Sequence, residues 1–234
     1  MANLNWFLYR GLRFVKSKIG NDFKKSYSQC GEDLIVRYIF DILKIASPSY
    51  LDIGAHHPTY LNNTYLFYQT GSKGVNVEPD PNLFLKINQE RPRDVNLNTG
   101  VADKNATLDF YIMSSPTLNT FSKQDALKSE SSKVKIVDTV KIPVMPVNDI
   151  LERYFGVVIL DYLTLDVEGF DLMILNSFDF SKWKPKVICV ETITYSPGKS
   201  GIKLNEINEL LLKNGYFVYA DTHINTIFVD TGVW

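Results

Sequence analysis

The sequence predicts an α/β protein: one parallel sheet with helices on both faces. Three observations carry this. Short apolar runs rich in β-branched residues alternate with segments of helical period along most of the chain, as in successive strand–helix crossovers. The chain has 234 residues, 45% of them hydrophobic, which suits a single well-buried domain. Several strand candidates end in small-residue or acidic turns, and the carboxyl edge of such a sheet is where ligands bind.

The elements follow in order. Residues 1–26 form a basic extension. Its first 25 residues carry Arg10, Arg13, Lys16, Lys18, Lys24 and Lys25 against Asp22, a net of +5 in a chain whose total is −1. Leu4, Leu8, Leu12, Val15 and Ile19 fall on one stripe, so the extension reads as an amphipathic helix. It could cover the domain edge, contact a second subunit in a homo-oligomer, or lie on a membrane surface. Residues 27–234 read as one domain. Leu34–Leu43 has the spacing of a helix stopped by Ser47 and Pro48, and Tyr50–Ile53 is a short strand. Asn63–Tyr68 is a helix ended by Gly71, Gly74–Glu78 a strand, Asn82–Gln89 a helix and Val95–Asn98 a strand. Thr107–Met113 alternates as a strand. The polar tract Ser114–Lys135 reads as a surface excursion or mobile loop. Val137–Val144, Tyr162–Asp166 and Lys186–Glu191 are strands, with a helix at Val147–Tyr154; a helix at Leu204–Lys213 precedes final strands at Phe217–Ala220 and Thr226–Val229.

Composition excludes several classes. A net charge of −1 gives no general case for a nucleic-acid partner and leaves room only for local basic patches. No apolar run approaches the roughly 20 residues that span a bilayer, and no signal-peptide core is visible. Cys30 and Cys189 lack metal-ligand spacing, and Cys189 sits in an apolar strand as a core thiol, a pattern suited to the reducing cytoplasm.

The strand ends carry the chemistry. In Asp52-Ile-Gly-Ala55, Gly54 lets the backbone turn tightly against a ligand and Asp52 can orient the loop or accept a hydrogen bond. The later glycines of a dinucleotide fingerprint are replaced by His56 and Thr59, which argues against a pyrophosphate. Glu78, about twenty residues on, stands where ribose hydroxyls would be gripped, and Asn98–Asp103 is a small-residue turn able to lie against a base. Together these describe a nucleoside site without a phosphate cradle.

The ordered motifs D-I-G-A, V-E-P-D-P, N-x-G-V-A-D and L-D-V-E-G-F-D resemble the FkbM family of S-adenosylmethionine-dependent methyltransferases. Tyr-Ser-Gln-x-Gly-Glu-Asp at 27–33, His57-Pro58 and Asn63-Thr64 resemble the branch associated with polysaccharide and glycan biosynthesis. The resemblance implies a class I methyltransferase, Rossmann-like fold: a seven-stranded, mostly parallel sheet ending in an antiparallel hairpin. It implies O-methylation of a sugar hydroxyl, on a nucleotide sugar or a glycan, with S-adenosylmethionine as donor. Asp52, Gly54 and Ala55 would line the donor's methionine part, with Gln29 closing over it; Glu78 would hold the ribose, and Pro79, Asp80, Gly100, Val101 and Ala102 would frame the adenine. His56 departs from the family's usual Asn.

An alcohol acceptor must lose a proton near the transition state. His57 is one candidate base, because imidazole titrates near neutrality. Asp166 and Glu168 of Leu165-Asp-Val-Glu-Gly169 are others, and Asp166 with Glu191 could hold a divalent cation such as Mg or Mn. Structural readings stand beside these: Asp166 and Glu168 could serve the following helix, His57 could shape its loop, and His223 reads as a surface histidine. Methylation of nitrogen or carboxylate in a small metabolite, and a binding module without turnover, are the rival functions.

Overall fold

The computed structural model describes residues 24–131, 133–156, 158–167, 169–194 and 201–234. The basic extension expected at 1–26 lies outside them up to residue 23, as does Glu168.

Two apolar faces of one sheet organise the chain. The strands β1 (Tyr50–Ile53), β2 (Gly74–Val77), β3 (Val95–Leu97), β7 (Tyr162–Leu165), β8 (Val187–Glu191), β9 (Tyr216–Asp221) and β10 (Asn225–Asp230) lie in the order β3-β2-β1-β7-β8-β10-β9. The first five are parallel; β10 runs antiparallel to both β8 and β9, which makes the expected terminal hairpin. Side-chain alternation sorts the core. Leu51 and Ile53 of β1 join Val75, Leu163 and Ile188 on one face, whereas Tyr50 joins Tyr162, Val187 and Cys189 on the other.

Helices cover both faces. α1 (Glu32–Ile42) buries Val36, Ile39 and Phe40, spaced for a single helical stripe, against the face that carries Cys189. A five-residue helix α2 (Tyr65–Gln69) adds Phe67 there, fully buried. α3 (Pro81–Glu90) follows β2; Asp80 caps it, accepting from the N–H groups of Asn82 and Leu83.

The middle of the chain builds a second, three-stranded sheet from β4 (Gly100–Val101), β5 (Ala106–Met113) and β6 (Ile136–Met145), in the order β4-β6-β5. The tract Ser114–Lys135 between β5 and β6 is more ordered than a loop. It contains a 3-10 turn at Pro116–Leu118 and a helix, α4 (Lys123–Ser129), capped by Ser122 and burying Ala126 and Ser129. Its polar composition hides this, because two backbone hydrogen bonds between Tyr111 and Thr120 and the ring of Phe121 against Phe110 fasten it. The remaining helices are α5 (Val147–Tyr154), α6 (Asp171–Ser177) and α7 (Asn205–Lys213). Among the described residues no helix is long and apolar enough to cross a membrane.

Beneath β1 and β2 lies a polar core that sequence periodicity did not announce. Arg91 is fully buried and pairs with Asp94 at 2.8 Å. It also donates to the Tyr50 hydroxyl at 2.8 Å and to Asn62 Oδ1 at 3.1 Å. Asp94 in turn accepts from Tyr50, from the Gly74 N–H and from Asn76. Asn62 carries the network to the turn after β1 by donating to the Ala55 carbonyl at 3.0 Å. Removing one partner of such a buried pair leaves an uncompensated charge. Replacing Arg91 with Met is therefore expected to cost about 3–5 kcal/mol of stability in urea unfolding, far more than truncating the exposed Lys141 of the Lys141–Asp109 pair.

Candidate active site

From β1 the chain runs outward through β2 and β3, then returns to the opposite side of β1 as β7, so strand order reverses between β1 and β7. A cleft of about 390 Å³ opens at the carboxyl ends of these strands.

The turn after β1 forms its floor. Gly54 has φ +82, and a Cβ there would lie 2.0 Å from the Asp166 carbonyl oxygen, so the position has no room for a side chain. His56 also has a positive φ, +55. Histidine, like asparagine, is among the few non-glycine residues enriched in that region, so His56 satisfies the same backbone demand as the Asn it replaces. Its N–H donates to Glu78 Oε2 at 2.7 Å, and its residue lines the cleft. Burial holds its imidazole below the usual histidine range.

Glu78 is 5% exposed and lines the cleft at the end of β2. Its other oxygen, Oε1, accepts from the Asp80 N–H at 2.8 Å. Burial pushes this carboxyl up to about 8 even though both backbone bonds favour its ionised form. Pro79, Gly100 and Val101 also line the cleft. Gly100 leaves space for the Phe121 ring, whose Cζ would lie 2.4 Å from an added Cβ, and so brings the Ser114–Lys135 tract over the cleft. A second tie is Asn119, which donates to Asp80 at 2.9 Å.

Gln29 also lines the cleft, and the surrounding acidic residues explain how it is held there. Asp33 accepts from the Ser26 and Ser28 hydroxyls and the Tyr27 N–H. Glu32 accepts from the Cys30 N–H and, across the domain, from Thr222 and Asn225. The motif at 27–33 thus folds the loop and ties it to the β9–β10 hairpin.

Other expected residues lie behind the cleft wall. Asp52 accepts from Thr64 at 2.6 Å and Asn62 at 3.4 Å and does not line the cleft; burial pushes it up to about 6, with Arg91 pulling the other way. Asp80 caps α3, while Ala55 and Ala102 are packed into the interior without reaching the cleft. His57 turns to its own loop, its Nδ1 accepting from the Thr59 and Tyr60 N–H groups at 3.2 Å each, and it too stands off the lining. His223 is exposed at the hairpin turn.

Asp166 and Glu191 do line the cleft, at the ends of β7 and β8. Burial pushes Asp166 up to about 6, reinforced by the negative charges of Asp52 and Glu32. As metal ligands the two carboxylates lack company: among the described residues no cluster of three or more His, Cys, Asp or Glu side chains could hold an ion. The cation expected at this pair gains no third His, Cys, Asp or Glu ligand among the described residues. Sequence reading missed Asn62, Arg91, Asn119, Phe121 and Asn225, all isolated residues outside any turn motif.

The cleft's position and its glycine and glutamate turns agree with a family-wide match: residues 52–218 fit the model of the methyltransferase FkbM domain. The chain belongs to the FkbM methyltransferase family. A search of the curated proteins finds no match. Solved structures resemble the chain at low identity. A putative caffeoyl-CoA O-methyltransferase from Staphylococcus aureus is 9% identical, with 97% of this chain and 100% of that chain covered at a TM-score of 0.50. A TehB-like SAM-dependent methyltransferase from Corynebacterium glutamicum is 12% identical, covering 98% and 100% at 0.43. Magnesium protoporphyrin IX methyltransferase from Synechocystis, solved with bound SAM, is 11% identical, covering 86% and 80% at 0.42.

The raised carboxyls of this FkbM domain bear on its stability. Glu78 at about 8, Asp171 at about 7, and Asp52 and Asp166 at about 6 all titrate above ordinary carboxyls. A folded-state value above the unfolded one means that the native chain holds the proton more tightly. The stabilisation is complete below about pH 4 and is lost as pH rises through 6 to 8. His56, with its value lowered, opposes this over the same range, while the lowered Glu32, Asp179 and Asp221 oppose it only at more acid pH. Calorimetry of the ligand-free protein should show a higher Tm near about pH 5.5 than near about pH 8.5, and Glu78→Gln should flatten the difference.

Proposed function

We propose that this FkbM methyltransferase moves a methyl group from S-adenosylmethionine to a hydroxyl of a sugar, in cytoplasmic assembly of a glycan or polysaccharide. The observation that carries the donor half is Glu78: a carboxyl group lining the cleft at the end of β2, its two oxygens oriented by the backbone N–H groups of His56 and Asp80, where it can bond a ribose hydroxyl. Gly54 and Gln29 fit the donor's amino-acid end, and Pro79, Gly100 and Val101 its base. When bound, S-adenosylmethionine supplies an electrophilic methyl group.

Asp166 is the side chain best suited to take the hydroxyl's proton. It lines the cleft, and at about 6 its carboxyl is a stronger base than an ordinary aspartate while remaining ionised at neutrality. His57 acts instead by shaping the loop that carries Tyr60, a 63% exposed ring at the cleft's lining. An aromatic face and the uncharged amides of Asn63 and Asn225 suit a saccharide.

Titration calorimetry with S-adenosylmethionine tests the donor half. Binding is expected in the wild type, and Glu78→Ala should weaken it roughly tenfold to a hundredfold, the range for leaving buried hydrogen-bond partners unsatisfied. Absence of binding to the wild type would defeat the assignment. With a turned-over acceptor identified by mass spectrometry, kcat/KM should fall on the acid side with an apparent pKa of about 6, and Asp166→Asn should lower kcat roughly a hundredfold or more and abolish that limb. His57→Ala should retain the limb.

A further inference from the structure

Among the described residues, several buried polar atoms have no hydrogen-bond partner, and one of them belongs to a residue that lines the cleft: Oδ1 of Asn225. Asn225 is 2% exposed at the start of β10, and the antiparallel ladder sets it opposite Glu191, which lines the same end. Its Nδ2 donates to Glu32 Oε1 at 3.1 Å. Glu32 is fully buried and also accepts from the Thr222 hydroxyl at 2.7 Å and the Cys30 N–H at 2.8 Å, so it presents acceptors only. The amide is thereby locked with its nitrogen toward Glu32, and the group left over is a carbonyl oxygen. A buried carbonyl without a partner is costly, and such a group at a binding cleft marks where a ligand completes the bonding.

The chemistry of that ligand follows from the neighbours. Asn225 Oδ1, Glu191 and Asp166 are all hydrogen-bond acceptors, and no lysine or arginine is among the described residues that line the cleft. This end therefore favours donors and repels phosphate or carboxylate.

We propose that Asn225 and Glu191 form the acceptor subsite, each receiving a hydrogen bond from a hydroxyl of an uncharged sugar ring, so that the ring being methylated carries neither phosphate nor carboxylate. The proposal rests on the reading of the cleft as a sugar O-methyltransferase site. Asn225 and Glu191 are positioning residues: they hold the ring while Asp166 faces the reacting hydroxyl.

Saturation-transfer NMR on the full chain loaded with S-adenosylhomocysteine tests this without turnover. The probes are methyl hexosides, the matching hexuronic acids, hexose phosphates and hexosamines. Neutral hexosides should receive saturation and the two anionic sets should stay at background. Asn225→Ala should weaken hexoside binding about tenfold or more with S-adenosylhomocysteine affinity retained. Glu191→Gln provides the same reading should Asn225→Ala not fold. The subsite is overturned if the loaded wild type binds no neutral hexoside, binds anionic sugars or hexosamines better, or binds hexosides as well after either substitution. Failure of the wild type to bind S-adenosylhomocysteine would overturn the donor assignment as well, so the two failures are told apart by the loading step.

Discussion

The cleft depends on a positive charge held away from water. Arg91 at the end of α3 reaches Asp94, Tyr50 and Asn62 and so ties the start of β1, the strand β2 and the turn after β1 into one polar unit. An arginine suits this position because its planar fork serves several partners at once, whereas a lysine is a single point charge. Asn62 relays the constraint to the Ala55 carbonyl and to Asp52. The left-handed residues Gly54 and His56 can therefore hold an otherwise disfavoured backbone, because packing and hydrogen bonds around them leave the chain no easier path.

That arrangement also divides the acids by role. Asp52 and Asp94 face inward and serve the frame; Glu78, Asp166 and Glu191 line the cleft. Burial raises Glu78 and Asp166, and no lysine or arginine in the described lining pulls them back down. A donor carrying positive charge would meet an environment already biased towards it, with the fold bearing the electrostatic cost before any ligand enters.

Periodicity and turn chemistry made most of the frame legible. The helix at 147–154 was readable because it buries one face, and the strand at 50–53 because a short apolar run, buried on both faces, stands before a glycine turn. The turns with Gly54, Glu78 and Gly100 were readable for a different reason: their backbone or charge serves a local purpose close in sequence. What escaped was non-local. Nothing near Arg91 in the chain announces that it will be buried, since its partners include Tyr50 and Asn62, 41 and 29 residues away. Asn225 escaped likewise, because its importance comes from Glu32 at the far end of the chain. The polar tract after β5 misled because composition records neither the Asn119–Asp80 bond nor the seat of Phe121 against Gly100. His57 drew attention by its titration range, yet geometry gives its ring to the loop.

The small three-stranded sheet has one more consequence. Because the tract spanning 114–135 leaves from β5 and returns to β6, both of that sheet, it is an insertion whose ends are already clamped side by side. It borders the cleft without contributing a strand to the seven-stranded frame. The architecture thus lets the tract shape the cleft from a base of its own, fastened to the frame only at points such as Gly100 and Asp80.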